Sequence, residues 1–128
     1  MMEREKMRKV LCVGTLIADI INEKLDGLPR EGECVTAEVS LNLGGNAYST
    51  SVNLKRLLPI EINVYCYGPI GTDMIGSLFE NGLNAEGVIC RLSKVSDKRT
   101  SCNIILQEKG RDRRYIFNAG ANSSASKE

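Results

Sequence analysis

"LNLGGNAYSTSVNLKRL", residues 41–57, holds the junction on which the fold turns. The run that leads into it, VTAEVSLNL (35–43), alternates strictly. Val35, Ala37, Val39, Leu41 and Leu43 point one way, and Thr36, Glu38, Ser40 and Asn42 the other, which is the period of a half-buried antiparallel strand. After Gly44 and Gly45 the period becomes helical. Ala47, Tyr48, Ser51, Leu54 and Leu58 share one face of a helix predicted over 46–58. Lys55 and Arg56 lie near its C-terminal end, where the dipole favours them, and Pro59 stops it. A glycine pair at this junction has two readings. It is a plain turn, or it is a place where a ligand comes close to the backbone, because glycine lacks Cβ and tolerates unusual dihedrals.

On either side the chain alternates between two kinds of strand. KVLCVG (9–14) is a continuous apolar run that suits a parallel strand covered on both faces. IEINVYCYG (60–68) reads as a second central strand and VICRL (88–92) as a third. PIGTDMIGSLFENGLNAEG (69–87) contains a helix, with Thr72 as N-cap, Asp73 in the first turn and Gly82 weakening the interior. TLIADIINEKLDGLPREGE (15–33) is mixed, and turn-rich from Asp26 to Gly32. TSCNIILQ (100–107) and RRYIFN (113–118) flank EKGRD and predict a hairpin. The apolar strands and helices make a βαβ layer. The alternating segments at 35–43, 100–107 and 113–118 pair into a separate antiparallel sheet.

A length of 128 residues suits one domain with its own core. The net charge is +1 with both signs intermixed, so charge gives no case for a nucleic-acid or membrane partner. The chain has no histidine, which removes the usual neutral-pH base and the commonest metal ligand. Its five cysteines are widely spaced with no CxxC, and most fall in apolar runs. They read as buried reduced thiols of a cytoplasmic protein. MMEREKMRK followed by VLCVGTLIA superficially resembles a signal peptide. Glu3, Glu5 and the closing Asp19 argue against one, and the apolar run is too short to span a bilayer. Lys109, Arg111, Arg113 and Arg114 surround Asp112 at a hairpin tip and read as a solvated turn. YGPIGTDMIG (67–76) has neither GxGxxG nor a Walker lysine, so its glycines read as turn and packing residues.

Five segments, in order, carry a resemblance to the ribokinase-like, PfkB-type carbohydrate kinases. They are VGTLIAD (13–19), LPREGE (28–33), GGNAYSTSVNLKRL (44–57), YGPIGTDMIG with NGLNAEGV (67–88), and TSCNIILQEKGRDRRYIFNAGAN (100–122). The resemblance implies an α/β, ribokinase-like fold, with a partial βαβ core and a small antiparallel β lid. Residues 1–128 would form the N-terminal part of the domain, with lid strands at approximately 15–43 and 99–118. It implies that Asp19 accepts hydrogen bonds from sugar hydroxyls and that Gly44 and Gly45 let the backbone approach the sugar. Asn46, Ser49 and Asn103 complete the implied substrate-binding set. The implied role of Asp19 is recognition, with proton abstraction done elsewhere. Asn46 stands where ribokinases carry lysine, Ser49 where many members have asparagine, and Ile17 where ribokinases place asparagine. These departures point away from ribose, toward another sugar or polyol.

Members of the family are roughly twice this long, and their later half carries the anion hole, the catalytic aspartate and most of the nucleotide site. Phosphoryl transfer depends on positioning and on stabilising charge at the γ-phosphate. The resemblance therefore implies ATP and Mg²⁺ for the full-length enzyme, but no catalytic residue, no metal ligand and no kinase activity in this chain alone. A reading from another class is a non-catalytic sugar-binding module, or a homodimer that pairs through the lid. A small Rossmann-like cofactor module is disfavoured, because no dinucleotide fingerprint follows the first strand. A split sheet exposes a strand edge and apolar faces, which predicts marginal stability or association.

Overall fold

A computed structural model describes residues 8–124. The charged run at 1–7, weighed above as a leader, and the end of the polar tail at 125–128 lie outside the described residues. The first strand, β1 (Lys9–Val13), pairs in parallel with β4 (Asn63–Tyr67), and β4 with β6 (Ile89–Cys90). Helix α1 (Asn46–Leu57) precedes β4, and α2 (Met74–Ala85) precedes β6. Leu16, Ala47, Val52, Val64, Cys66, Phe79 and Leu83 form the core, and the Tyr48 ring meets Phe79 edge-on at 5.4 Å. Both helices serve the face of the sheet that carries Cys12 and Cys66.

The other face is bare, which corrects the expectation of a first strand covered on both sides. Leu11 is 60% exposed and Val13 61%, beside an exposed Tyr67. All-parallel sheets ordinarily bury both faces, so this one lacks a layer.

A second sheet has the order β3-β2-β8-β9. It is built from β2 (Ile17–Leu25), β3 (Glu38–Gly44), β8 (Cys102–Glu108) and β9 (Arg114–Asn118). The outer pairings are antiparallel, and the central β2–β8 pairing is parallel. The nine-residue β2 occupies the first part of the 15–33 segment, whose residue pattern is mixed. Its bulge before Leu25 contains Lys24 at φ 58. The alternation of β3 holds, yet its burial does not: Leu43 packs on the core, while Val39 and Leu41 stand exposed. β3 is an edge strand and carries them past the end of the core.

Two short parallel strands, β5 (Pro69–Gly71) and β7 (Ser93–Val95), link the layers. The N-cap of α2 is Asp73, not Thr72. Asp73 is extended and its carboxylate accepts from Gly76 N at 3.0 Å. The helix runs through Gly82 without a break, because that glycine seats against the Tyr48 side chain. At the β8–β9 turn, Lys109 pairs with Asp26 and Arg114 with Glu108, as fits a solvated turn.

Candidate functional site

The registers of the second sheet align Asn42, Asp19, Asn103 and Phe117 in one row across β3, β2, β8 and β9. The neighbouring row is Leu41, Ile20, Ile104 and Ile116. Successive strand residues point to opposite faces, so the Asp19 row shares its face with Ser40, Ile21, Ile105 and Tyr115, and the Leu41 row lies on the other. Asn103 Nδ2 donates to Asp19 Oδ1 at 3.1 Å. Both side chains are half-buried, and the neighbouring Asn42 and Phe117 are exposed.

Gly44 ends β3 at the foot of this row. A Cβ there would lie 3.4 Å from Asp19 Oδ2. Gly45 has φ +88, and a Cβ would run into Thr15 O, so no other residue fits this turn without strain. Asn46 opens α1 and turns its Oδ1 inward, accepting from Thr15 N at 2.7 Å and Thr15 Oγ1 at 2.9 Å. Ala47 N donates to Thr15 O at 3.2 Å. The start of α1 is thereby tied to the β1–β2 loop. Ser49 stands exposed on the first turn of the helix, three residues after Asn46.

The structure therefore groups Asp19, Gly44 and Asn103 directly, with Gly45 and Asn46 behind them as supports. Ser49 lies beside the cluster, and no hydrogen bond joins it to Asp19 or Asn103. Sequence reasoning passed over Asn42 and Phe117. Asn42 belonged to the polar side of the 35–43 alternation, which was the available signal. Phe117 needed the β8–β9 register. Asn122 was also missed: its Nδ2 donates to Leu16 O at 3.1 Å, holding the β1–β2 loop from the other side.

The model of the pfkB family of carbohydrate kinases matches residues 7–128. The chain belongs to this family. Solved structures agree with that placement. A ribokinase from Arabidopsis thaliana, complexed with ribose and ATP, is 27% identical with a TM-score of 0.74, over 90% of this chain and 36% of its own. A nucleoside kinase from Methanocaldococcus jannaschii, an archaeal member of the ribokinase family, is 24% identical with a TM-score of 0.76, over 92% of this chain and 39% of its own. A ribokinase from Giardia lamblia shares the fold at 17% identity and a TM-score of 0.78, over 90% of this chain and 37% of its own. The chain thus spans a little over a third of the length of these solved structures. Among curated proteins none matches it.

The glycine-bearing turn of this pfkB chain does not fit the phosphates of a nucleotide. Asp73 Oδ1 accepts from Gly76 N and from Thr100 Oγ1 at 2.6 Å, and Oδ2 from Thr100 N at 2.9 Å. Burial pulls this carboxyl upward, but those hydrogen bonds outweigh it and hold it below the ordinary carboxylate range. An anion therefore already fills the N-terminus of α2 and would repel a phosphate. A Cβ at Gly71 or Gly76 would strike backbone of the same knot, so both glycines serve close packing. No group of three metal-ligating side chains occurs among the described residues.

Proposed function

We propose that this chain supplies the sugar-binding wall and the lid of an ATP-dependent sugar kinase. The full-length enzyme would transfer the γ-phosphate of ATP, with Mg²⁺, to a sugar hydroxyl. The observation that carries the reading is the Asp19–Asn103 pair beside Gly44, in a chain of the pfkB family. A carboxylate accepts from two adjacent hydroxyls, which suits a polyol. Asn103 holds one oxygen in place, and among the described residues no donor reaches the other. Gly44 leaves room for a ring against that oxygen. Asn42 offers an amide on one flank and Phe117 an apolar surface on the other. Gly45 and Asn46 fix the start of α1, and Ser49 stands where the helix meets this space.

In this reading the chain alone binds sugar and does not phosphorylate it, because the nucleotide site and catalytic aspartate of the family belong to the part of the domain beyond this stretch. It acts as a cytoplasmic protein without nucleic-acid or membrane partners. The balanced charge supports that, and no helix among the described residues is long and apolar enough to cross a membrane.

The row Leu41, Ile20, Ile104 and Ile116 favours a second role alongside the first. Its outer members are exposed, and an apolar sheet face of this kind is covered when two lids pair. Calorimetric titration of the chain with a panel of pentoses, hexoses and nucleosides, without nucleotide, tests the sugar-binding reading. Saturable binding that Asp19→Ala weakens roughly 10- to 100-fold is the expected result. A chain that binds none of them, or that phosphorylates a sugar unaided, overturns it.

A further inference from the structure

Three thiols stand in one row across the parallel sheet. Cys12 and Cys66 are register partners between β1 and β4, and Cys66 and Cys90 between β4 and β6. All three side chains pack on the core face beneath the helices, and all are free thiols. Registered residues on neighbouring strands lie about 4.8 Å apart. That falls inside the roughly 4.4–6.8 Å Cα separation of disulfides.

The three differ in access. Cys12 and Cys66 are buried, and burial pushes both thiols up, with the nearby Ser51 hydroxyl opposing it at Cys66. Cys90 is half-buried on β6, which has only two paired residues and forms the edge of its sheet. It also lines an open groove of about 950 Å³ with Tyr67, Asn84 and Arg91. A two-residue edge strand opens locally at low free energy.

We propose that Cys66 and Cys90 form an oxidant-responsive pair, with Cys90 the entry thiol and Cys66 the resolving thiol. The oxidant is hydrogen peroxide. The Cys90 thiolate attacks the O–O bond; an S–O bond forms, the O–O bond breaks, and hydroxide leaves and takes a proton to become water. The resulting sulfenic acid is attacked by Cys66 as it loses its proton; the S–S bond forms, the S–O bond breaks, and a second water leaves. Two thiols lose two electrons and hydrogen peroxide is reduced to two waters. Closing the bridge draws the Cβ atoms from strand spacing to about 3.8 Å. The bridge lies at a sheet edge beside the groove, where a small dithiol reaches it, so it is readily reduced. Cys12 takes no part, because it borders no groove and its register partner is Cys66, which leaves it two strands away from the entry thiol Cys90.

The test is hydrogen peroxide treatment of the folded full chain at neutral pH, followed by alkylation in denaturant and peptide mapping. The expected result is loss of two of the five alkylatable thiols, a linked Cys66–Cys90 peptide pair, and full recovery with mild dithiol. Cys90→Ser should retain all of its remaining thiols. Cys66→Ala should leave a sulfenic acid at Cys90 that dimedone captures. Should Cys66→Ala not fold, the part-exposed Cys90→Ser variant decides alone. Cys34 stands exposed, against the expectation of buried thiols, and is the competing site. Five free thiols after oxidation, a bridge from Cys12 to Cys66, or linkage only through Cys34 of two chains overturns the proposal.

Discussion

Asn103 Nδ2 and Asp19 Oδ1 meet at 3.1 Å across a parallel strand pair, in a sheet whose other pairings are antiparallel. The parallel register puts an amide beside the carboxylate, fixing its rotamer while leaving the second oxygen toward Gly44. Hydrogen bonds to charged groups contribute about 1.5–3 kcal/mol, so Asp19→Ala should weaken sugar binding roughly 10- to 100-fold. Asn103→Ala should cost a few-fold, since it loosens the carboxylate without removing it. Calorimetry reads both, and the thermal midpoint should move little because both side chains are half-buried.

The two glycines should separate stability from binding. Gly45→Ala meets a positive φ and the Thr15 carbonyl, so it should destabilise by about 1–3 kcal/mol in urea unfolding. Gly44→Ala meets only ordinary contacts and should keep the fold. Its methyl group would stand 3.4 Å from Asp19 Oδ2, so sugar affinity should fall.

Asn46 divides the same way within one side chain. Its Oδ1 holds Thr15, and its Nδ2 has no partner among the described residues. Asn46→Ala should cost about 1 kcal/mol of stability. Asn46→Asp keeps the acceptors and should fold normally. If Nδ2 serves a sugar hydroxyl, that variant should lose affinity with its melting point intact.

The junction at 41–57 was legible because two periods meet there, and both held: β3 ends at Gly44 and α1 begins at Asn46. Family order placed Asp19 and Asn103 in the implied site, but their contact depends on a parallel pairing of strands 84 positions apart. Nothing local encodes that register. The pattern of β2 read as mixed because Asn22, Glu23 and Lys24 break its alternation, so a lid strand was expected there from the resemblance alone, and its bulge then shifts the register. Burial was the least legible property. Val39, Leu41, Leu11 and Val13 carry the pattern of core residues and stand in the open, since periodicity reports which side a residue takes and not whether anything covers that side.

Asp73 makes the acid limb of stability testable. Its folded-state pKa lies below the ordinary carboxylate value of about 3.9. The knot with Thr100 and Gly76 is therefore complete above that value and is lost as pH falls through the folded-state pKa. Asparagine supplies one acceptor oxygen where the structure uses two. Asp73→Asn should be less stable than the parent chain by about 1–2 kcal/mol near neutrality. The gap should narrow as pH falls below about 4, once the parent carboxylate is protonated. A gap that stays constant down to acid unfolding would assign the loss to packing instead.

Two apolar surfaces compete to explain any self-association. On the second sheet, Leu41 and Ile116 end a continuous apolar row, and Val39 extends it. On the parallel sheet, Leu11 and Val13 lie beside Tyr67 on the uncovered face. Fully burying one such side chain contributes about 1.5–3 kcal/mol, so a lysine at the right place should dissociate a dimer. The row on the second sheet is self-complementary in a way the bare parallel face is not. Two apolar sheet faces pack against one another, while an all-parallel sheet takes helices on its open side. Sedimentation should therefore show a concentration-dependent dimer that Leu41→Lys reduces to monomer and Leu11→Lys leaves in place. The reverse pattern would make the parallel sheet the sticky surface and leave the second sheet unpaired.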